Sequence, residues 1–166
     1  MNSIKLKSTI IVCLTLVGLY GLAELFFARF TFSFPTFQDQ CLYARMFIVD
    51  KRDKDIKRGD LVAFKFNKED KNFDKGLSFI KIAAGVPGDE IKYSPNEMFV
   101  NRVESKIAGM THAINFLQLN PKEYERQITL NENEFFMVGE TIYSYDSRFW
   151  GPINEEDILG KAYAIF

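Results

Sequence analysis

The chain has 166 residues, 47% of them hydrophobic and 26% charged, enough apolar material for one packed domain with a terminal appendage and too much for a disordered chain. A formal net charge of −1 excludes the basic footprint that neutralising nucleic-acid phosphates requires. Two cysteines, Cys13 and Cys41, and one histidine, His112, exclude a disulfide framework, a four-ligand zinc site and a multi-histidine centre, so no metal or other cofactor is expected.

Thr9 to Phe27 reads TIIVCLTLVGLYGLAELFF, an apolar run of the length that crosses a bilayer core as a helix. Its only charge, Glu24, falls in the last third, where a carboxylate can reach the interface. Lys5 and Lys7 precede the run and Arg29 comes after it. This bias places residues 1–8 in the cytoplasm, 9–27 in the membrane and 28–166 outside. An N-terminal signal sequence fits the same residues, because Gly21-Leu22-Ala23 supplies small residues at cleavage-site spacing. Either reading exports the remainder, in bacteria into an oxidising compartment, where Cys41 is an unpaired thiol and a candidate reactive group. Cys13, inside the run, is assigned no chemistry.

Phe30, Phe32 and Phe34 alternate with Thr31 and Ser33, the period of a strand with one apolar face. That face either packs in the core or rests on lipid. Short strand-like runs then succeed one another: RMFIVDK, LVAFKF, LSFIKIAAG, DEIKYS, EMFVNRVES, ERQITL, EFFMVGE and GKAYAIF. Turn signals separate them, including Val86-Pro87-Gly88-Asp89, which suits a type II turn. A short helix is expected over Ile114–Tyr124, limited by Asn120-Pro121, within a probable insertion at 105–127. The expectation is a mainly β fold, an antiparallel sheet coiled on itself, carried by one N-terminal transmembrane helix.

KRGDLVAF (Lys57–Phe64), FIKIAAGVPGD (Phe79–Asp89) and FFMVGETIYSYDSRFWGPINEEDILGKA (Phe135–Ala162) resemble, in order and spacing, the boxes of the type I signal peptidases, and most nearly those of the conjugative-transfer branch. The resemblance covers nearly all of the exported part. It implies a coiled antiparallel β domain and a nucleophile–lysine protease that cuts precursors after small residues at the outer membrane face. It sets Lys81 at the general-base position. An ordinary lysine titrates near about 10.4, so a lysine base has to be kept dry to hold a neutral amine, and the neighbours of Lys81 are apolar. Ile82 stands where the family usually has arginine, and Glu140 where it has aspartate.

For the nucleophile the resemblance offers two positions. CLYARMFIVDK aligns Cys41 with the Ser/Cys-Leu-Pro stretch of the conjugative branch, Tyr43 replacing the proline. Ser33 in SFPTF is the rival, but it lacks one residue of the main-branch motif and lies too far from Asp50-Lys51. A thiol, ordinarily near about 8.5, passes its proton to an amine more readily than a hydroxyl does, so a Cys–Lys pair titrates jointly. The Cys41 amide is the expected oxyanion donor; Asp39 occupies the position of the family's second donor and, ionised, cannot donate. Ser144, Asp146 and Arg148 match the residues around the family's lysine: Ser144 to orient the amine, Asp146 and Arg148 as an ion pair bracing the strand beneath.

The resulting reading is a peptidase of the bacterial inner membrane, its catalytic domain on the periplasmic side. Its partners are the lipid bilayer and a secreted or pilin-type precursor of a type IV secretion or conjugation apparatus. The alternative is an inactive scaffold of such an apparatus. A Cys41–His112 hydrolase is disfavoured, because GMTHAINF lies outside every matching block.

Overall fold

A computed structural model of the protein describes residues 2–34, 41–107 and 109–165. The apolar N-terminal run forms α1 (Asn2–Arg29), and every side chain from Lys7 to Arg29 is exposed. A helix that is apolar all round and meets the rest of the described chain only at its C-terminal end has the character of a lipid-facing span, and Lys7–Arg29 is long and apolar enough to cross a membrane. Its C-terminal end is tied to the β domain. Arg29 makes a bidentate pair with Asp50 (Nη2 to Oδ2 2.6 Å, Nε to Oδ1 3.1 Å), and Lys51 Nζ donates to the Phe27 carbonyl at 2.6 Å.

Two antiparallel sheets make up the rest. The larger uses β1 (Phe30–Ser33), β2 (Phe47–Asp50), β3 (Leu61–Phe66), β4 (Leu77–Gly85), β9 (Glu134–Val138), β10 (Ile153–Asn154) and β11 (Ile158–Ala164), in the order β1-β2-β11-β3-β4-β9-β10. The smaller uses β5 (Glu90–Tyr93), β6 (Met98–Val100), β7 (Val103–Glu104) and β8 (Arg126–Thr129), in the order β7-β6-β5-β8. This mainly β, antiparallel arrangement with a single long apolar helix is the expected fold class.

Alternation along β4 distributes its side chains between the cores. Ala83 and Phe79 join Val62, Phe64, Met137 and Ile158, while Ile80 and Ile82 face Leu42, Phe47, Val49 and Ala63. Ala84 and Ile82 also meet the core between the sheets, built around Ile91, Tyr93, Met98 and Phe136. Lys81, at the parity of Phe79 and Ala83, is turned into protein rather than solvent.

Two local features depart from the sequence reading. EMFVNRVES is two strands, because Asn101 and Arg102 take positive φ (50° and 68°) and close a tight hairpin between β6 and β7. The expected helix at Ile114–Tyr124 is split into α2 (Thr111–Phe116) and a 3₁₀ turn, Pro121–Tyr124, whose first residue is the proline and which Asn120 caps by accepting from Lys122 N–H. The aromatic residues of β1 and just after it, for which the sequence leaves core packing and a lipid surface both open, are only partly covered by protein: Phe32 is 39% and Phe34 65% exposed. Phe26 instead packs on Phe30 and Phe32 at the helix–strand junction, with ring centroids 5.1 and 6.2 Å apart.

Candidate active site

Lys81 is the most buried cation of the sheet, 1% exposed, opposite Val62 in the β3–β4 ladder. Its Nζ donates to Ser144 Oγ at 3.2 Å, and Ser144 Oγ donates in turn to Asp146 Oδ2 at 2.7 Å. The direction of these bonds is dictated by chemistry. Asp146 as a carboxylate can only accept, so the single hydroxyl proton of Ser144 is committed to it and the Ser144 oxygen is left to receive an N–H from Lys81.

Asp146 itself is fully buried and saturated. Oδ2 also accepts from Gly139 N–H (3.0 Å) and Arg148 Nη2 (2.7 Å), while Oδ1 takes Arg148 Nε (2.8 Å) and Arg148 N–H (3.2 Å). Burial alone would raise the Asp146 carboxyl, but Arg148 foremost, with the Gly139 N–H and the Lys81 side chain when it is charged, outweighs it and holds it below the ordinary carboxylate range. Burial likewise opposes the charge of Arg148, and Asp146 reverses that.

The expected ion pair is formed, between the residue that caps α3 (Ser147–Trp150) and the second residue of that helix, and both partners are sealed from water while Asp146 also holds the Gly139 N–H at the end of β9. Ser147 extends the same anchoring, its Oγ accepting from Met137 N–H at 2.9 Å.

Cys41 is brought to this cluster through its backbone. Its carbonyl accepts from Glu140 N–H (2.7 Å) and Thr141 N–H (3.4 Å), and Glu140 Oε2 returns the contact by accepting from Tyr43 N–H at 3.0 Å. Leu42, 6% exposed, plugs the turn into the core of Phe47, Val49 and Ala63. Gly139 shows how tight the junction is: a Cβ there would collide with Ser144 Oγ and stand 2.6 Å from the Cys41 carbonyl oxygen. The Cys41 carbonyl and the Ser144 side chain thus both crowd the place a Gly139 side chain would take. In the sequence the only signal of Gly139 and the Glu140 amide is membership of the VGE motif, which does not single them out.

Ser33 lies at the end of β1, paired with Phe47, and lines a groove of about 530 Å³ with Val49, Ala63, Ser78 and Ile80. Ile80 and Lys81 are successive residues of a pleated strand and point to opposite faces. Among the described residues no hydrogen bond joins Ser33 to Lys81 or Ser144. Strand β9 pairs with β4 only from Ile82 onward, so the stretch Leu77–Lys81 has a strand beside it on the β3 side alone among the described residues. Asp39 lies outside the described residues. His112, on α2, meets Tyr143 edge-on at 4.6 Å, so the 105–127 excursion touches the Ser144 loop without adding a ligand or base to it.

The signal peptidase, peptidase S26 family model matches residues 4–166. The chain is 33% identical over 140 residues to signal peptidase I V of Bacillus subtilis, covering 76% of this chain and 75% of that protein. It is 30% identical over 123 residues to the probable signal peptidase I-2 of Synechocystis, covering 71% of this chain and 51% of that one, so it spans about half the length of this relative. A crystal structure of a signal peptidase I from Enterococcus faecalis aligns with a TM-score of 0.44 and 21% identity over 66% of this chain and 97% of that chain. With the family model matched from end to end of the β domain and into the apolar helix, the chain belongs to the signal peptidase family, peptidase S26.

Proposed function

We propose that the chain is a membrane-anchored endopeptidase of the signal-peptidase type, with Cys41 as nucleophile and Lys81 as general base. The observation that carries this reading is the Lys81 amine, 1% exposed, oriented by Ser144, in the loop on which the Cys41 backbone docks. An inactive scaffold has no need to bury an amine at that position, since an ionised ammonium there costs several kcal/mol in lost hydration.

In this scheme the neutral Lys81 amine takes the Cys41 thiol proton as Sγ attacks the scissile carbonyl and forms the C–S bond. The carbonyl oxygen becomes an oxyanion and accepts from the Cys41 N–H. Collapse breaks the C–N bond, and the Lys81 ammonium returns its proton to the leaving amine. Water then attacks the thioester, giving a proton to Lys81, and the released thiolate is reprotonated. Ser144 holds one N–H of Lys81 throughout.

The strand edge left open along Leu77–Lys81 is read as the seat of the precursor, whose extended backbone would pair beside the strand that carries the base. The CLY stretch supports a secreted or pilin-type precursor of a type IV secretion or conjugation apparatus. The charge bias around α1 supports the inner membrane, with the β domain on the periplasmic side. The thiol in place of the family's serine is what favours the second reading, a scaffold that has lost turnover.

Cleavage of an Ala-X-Ala precursor in detergent separates these readings. Cys41→Ala and Lys81→Ala are expected to abolish cleavage and Ser33→Ala to retain it, with thermal melts showing each variant folded. An inert wild type on its cognate precursor favours the scaffold, and full activity in Cys41→Ala overturns the nucleophile.

A further inference from the structure

The β3–β4 hairpin ends in the polar stretch Asn67–Gly76, NKEDKNFDKG, which the matching blocks leave out. From Lys71 to Leu77 only Phe73 is not fully exposed, and Asp70 just before it is also turned inward. Both reach the same side chain. Tyr145 OH donates to Asp70 Oδ2 at 2.8 Å, and the Tyr145 ring lies against Phe73 with centroids 5.6 Å apart. Asp70 is held for this role, because its other oxygen accepts from Asn72 N–H at 2.7 Å. Burial and the Asp70 carboxylate both push the Tyr145 phenol up, so it stays a neutral donor.

Tyr145 sits between Ser144 and Asp146, and stacks on Phe149 at 4.6 Å. Phe73 also packs edge-on against Phe79 at 4.9 Å, and the Phe79 ring lies 5.9 Å from Lys81 Nζ. The tip therefore grips both segments that meet at the amine: the strand that carries Lys81, through Phe79, and the loop that carries its acceptor, through Tyr145.

We infer that Asp70, Phe73 and Tyr145 form a clamp that positions Ser144 against Lys81, so that the hairpin tip sets the geometry of the base. The inference rests on the proposed peptidase activity. None of the three touches the reacting atoms, and all are positioning residues. Small displacements of an oriented group are costly in rate, which is why a remote hydrogen bond matters here.

The test uses the full-length protein in detergent with Cys13→Ala, leaving Cys41 as the only thiol. Tyr145→Phe removes only the bond to Asp70 and is expected to lower kcat about fivefold at unchanged KM, and Asp70→Ala, which also frees the Asn72 N–H, at least as much. The double variant should fall no further than Asp70→Ala, because the Tyr145–Asp70 bond is already gone there. Asp70→Asn keeps an acceptor and is expected to restore wild-type turnover. The pH profile of Cys41 alkylation by iodoacetamide should move with kcat in the same variants. Unchanged kcat and alkylation profiles in Tyr145→Phe and Asp70→Ala, or loss of melting temperature alone, overturn the clamp. A wild type that cleaves no precursor but whose alkylation profile moves in these variants removes the peptidase reading and leaves the clamp standing.

Discussion

Lys81 and Ser144, 63 positions apart in the chain, meet at 3.2 Å in a site where neither is more than 1% exposed. Ser144 cannot satisfy its other neighbour without also serving Lys81, since its proton goes to Asp146. Ser144→Ala leaves the amine buried without an acceptor, and kcat is expected to fall by about tenfold to a hundredfold, with KM little changed. Ser144→Thr, which keeps the hydroxyl, should recover part of the loss. Steady-state cleavage kinetics of the two variants check this.

Gly139 has no room for a side chain. A methyl group would collide with Ser144 Oγ and stand 2.6 Å from the Cys41 carbonyl, below any real contact. Gly139→Ala must push one away, and the Glu140 N–H to Cys41 carbonyl bond is the link most exposed to the shift. Loss of turnover is expected with a stability cost of about 1–3 kcal/mol, the range for overpacking a tight interior. Denaturant melts read alongside cleavage rates measure both effects.

Arg148 and Asp146 are 3% and 0% exposed, so removing one strands the other as a buried charge. Arg148→Ala is expected to cost about 3–5 kcal/mol, whereas an exposed pair such as Lys57–Asp55 should cost almost nothing on removal. Arg148→Lys, with one charge and no planar fork, is expected to be intermediate.

Acid should unfold the domain through two carboxylates. Asp146 is depressed by Arg148 and its other donors. For Asp89, burial acts upward and is outweighed by the Val86 N–H, Arg58 and Asn101, which hold it below its ordinary value. A carboxyl with a lowered folded pKa contributes stability that is fully present above its unfolded value of about 3.9 and is lost as pH falls through the folded value. Melting temperature should therefore be flat above about pH 5 and drop steeply below about pH 4. Asp89→Asn is expected to lower the plateau and flatten the drop.

The elements legible in the sequence are those whose signal is local. The apolar run gives α1, short strand-like runs between turn signals give β2, β3, β4, β9 and β11, and motif spacing sets Lys81 and Ser144 in separate blocks that the structure joins. The illegible features depend on partners far along the chain. Tyr145 and Asp70 are 75 residues apart, and neither position has a periodicity or motif that announces the bond. The burial of Asp146–Arg148 is hidden for the same reason, because a charged pair two residues apart looks alike on a surface and under a sheet. The β6–β7 hairpin escapes sequence reading since Asn101-Arg102 lacks the glycine that usually marks such turns. Phe32 and Phe34 alternate correctly for a strand, but periodicity alone cannot say whether protein or lipid covers the apolar face.

The most direct measurement on the Cys41–Lys81 pairing is mass analysis of the enzyme quenched in acid during turnover of an Ala-X-Ala precursor. A mass increment equal to the amino-terminal fragment, mapped to the peptide containing Cys41 and missing in Lys81→Ala, is expected. The same increment on Ser33, or steady cleavage with Cys41 never acylated and replaceable by alanine, contradicts it.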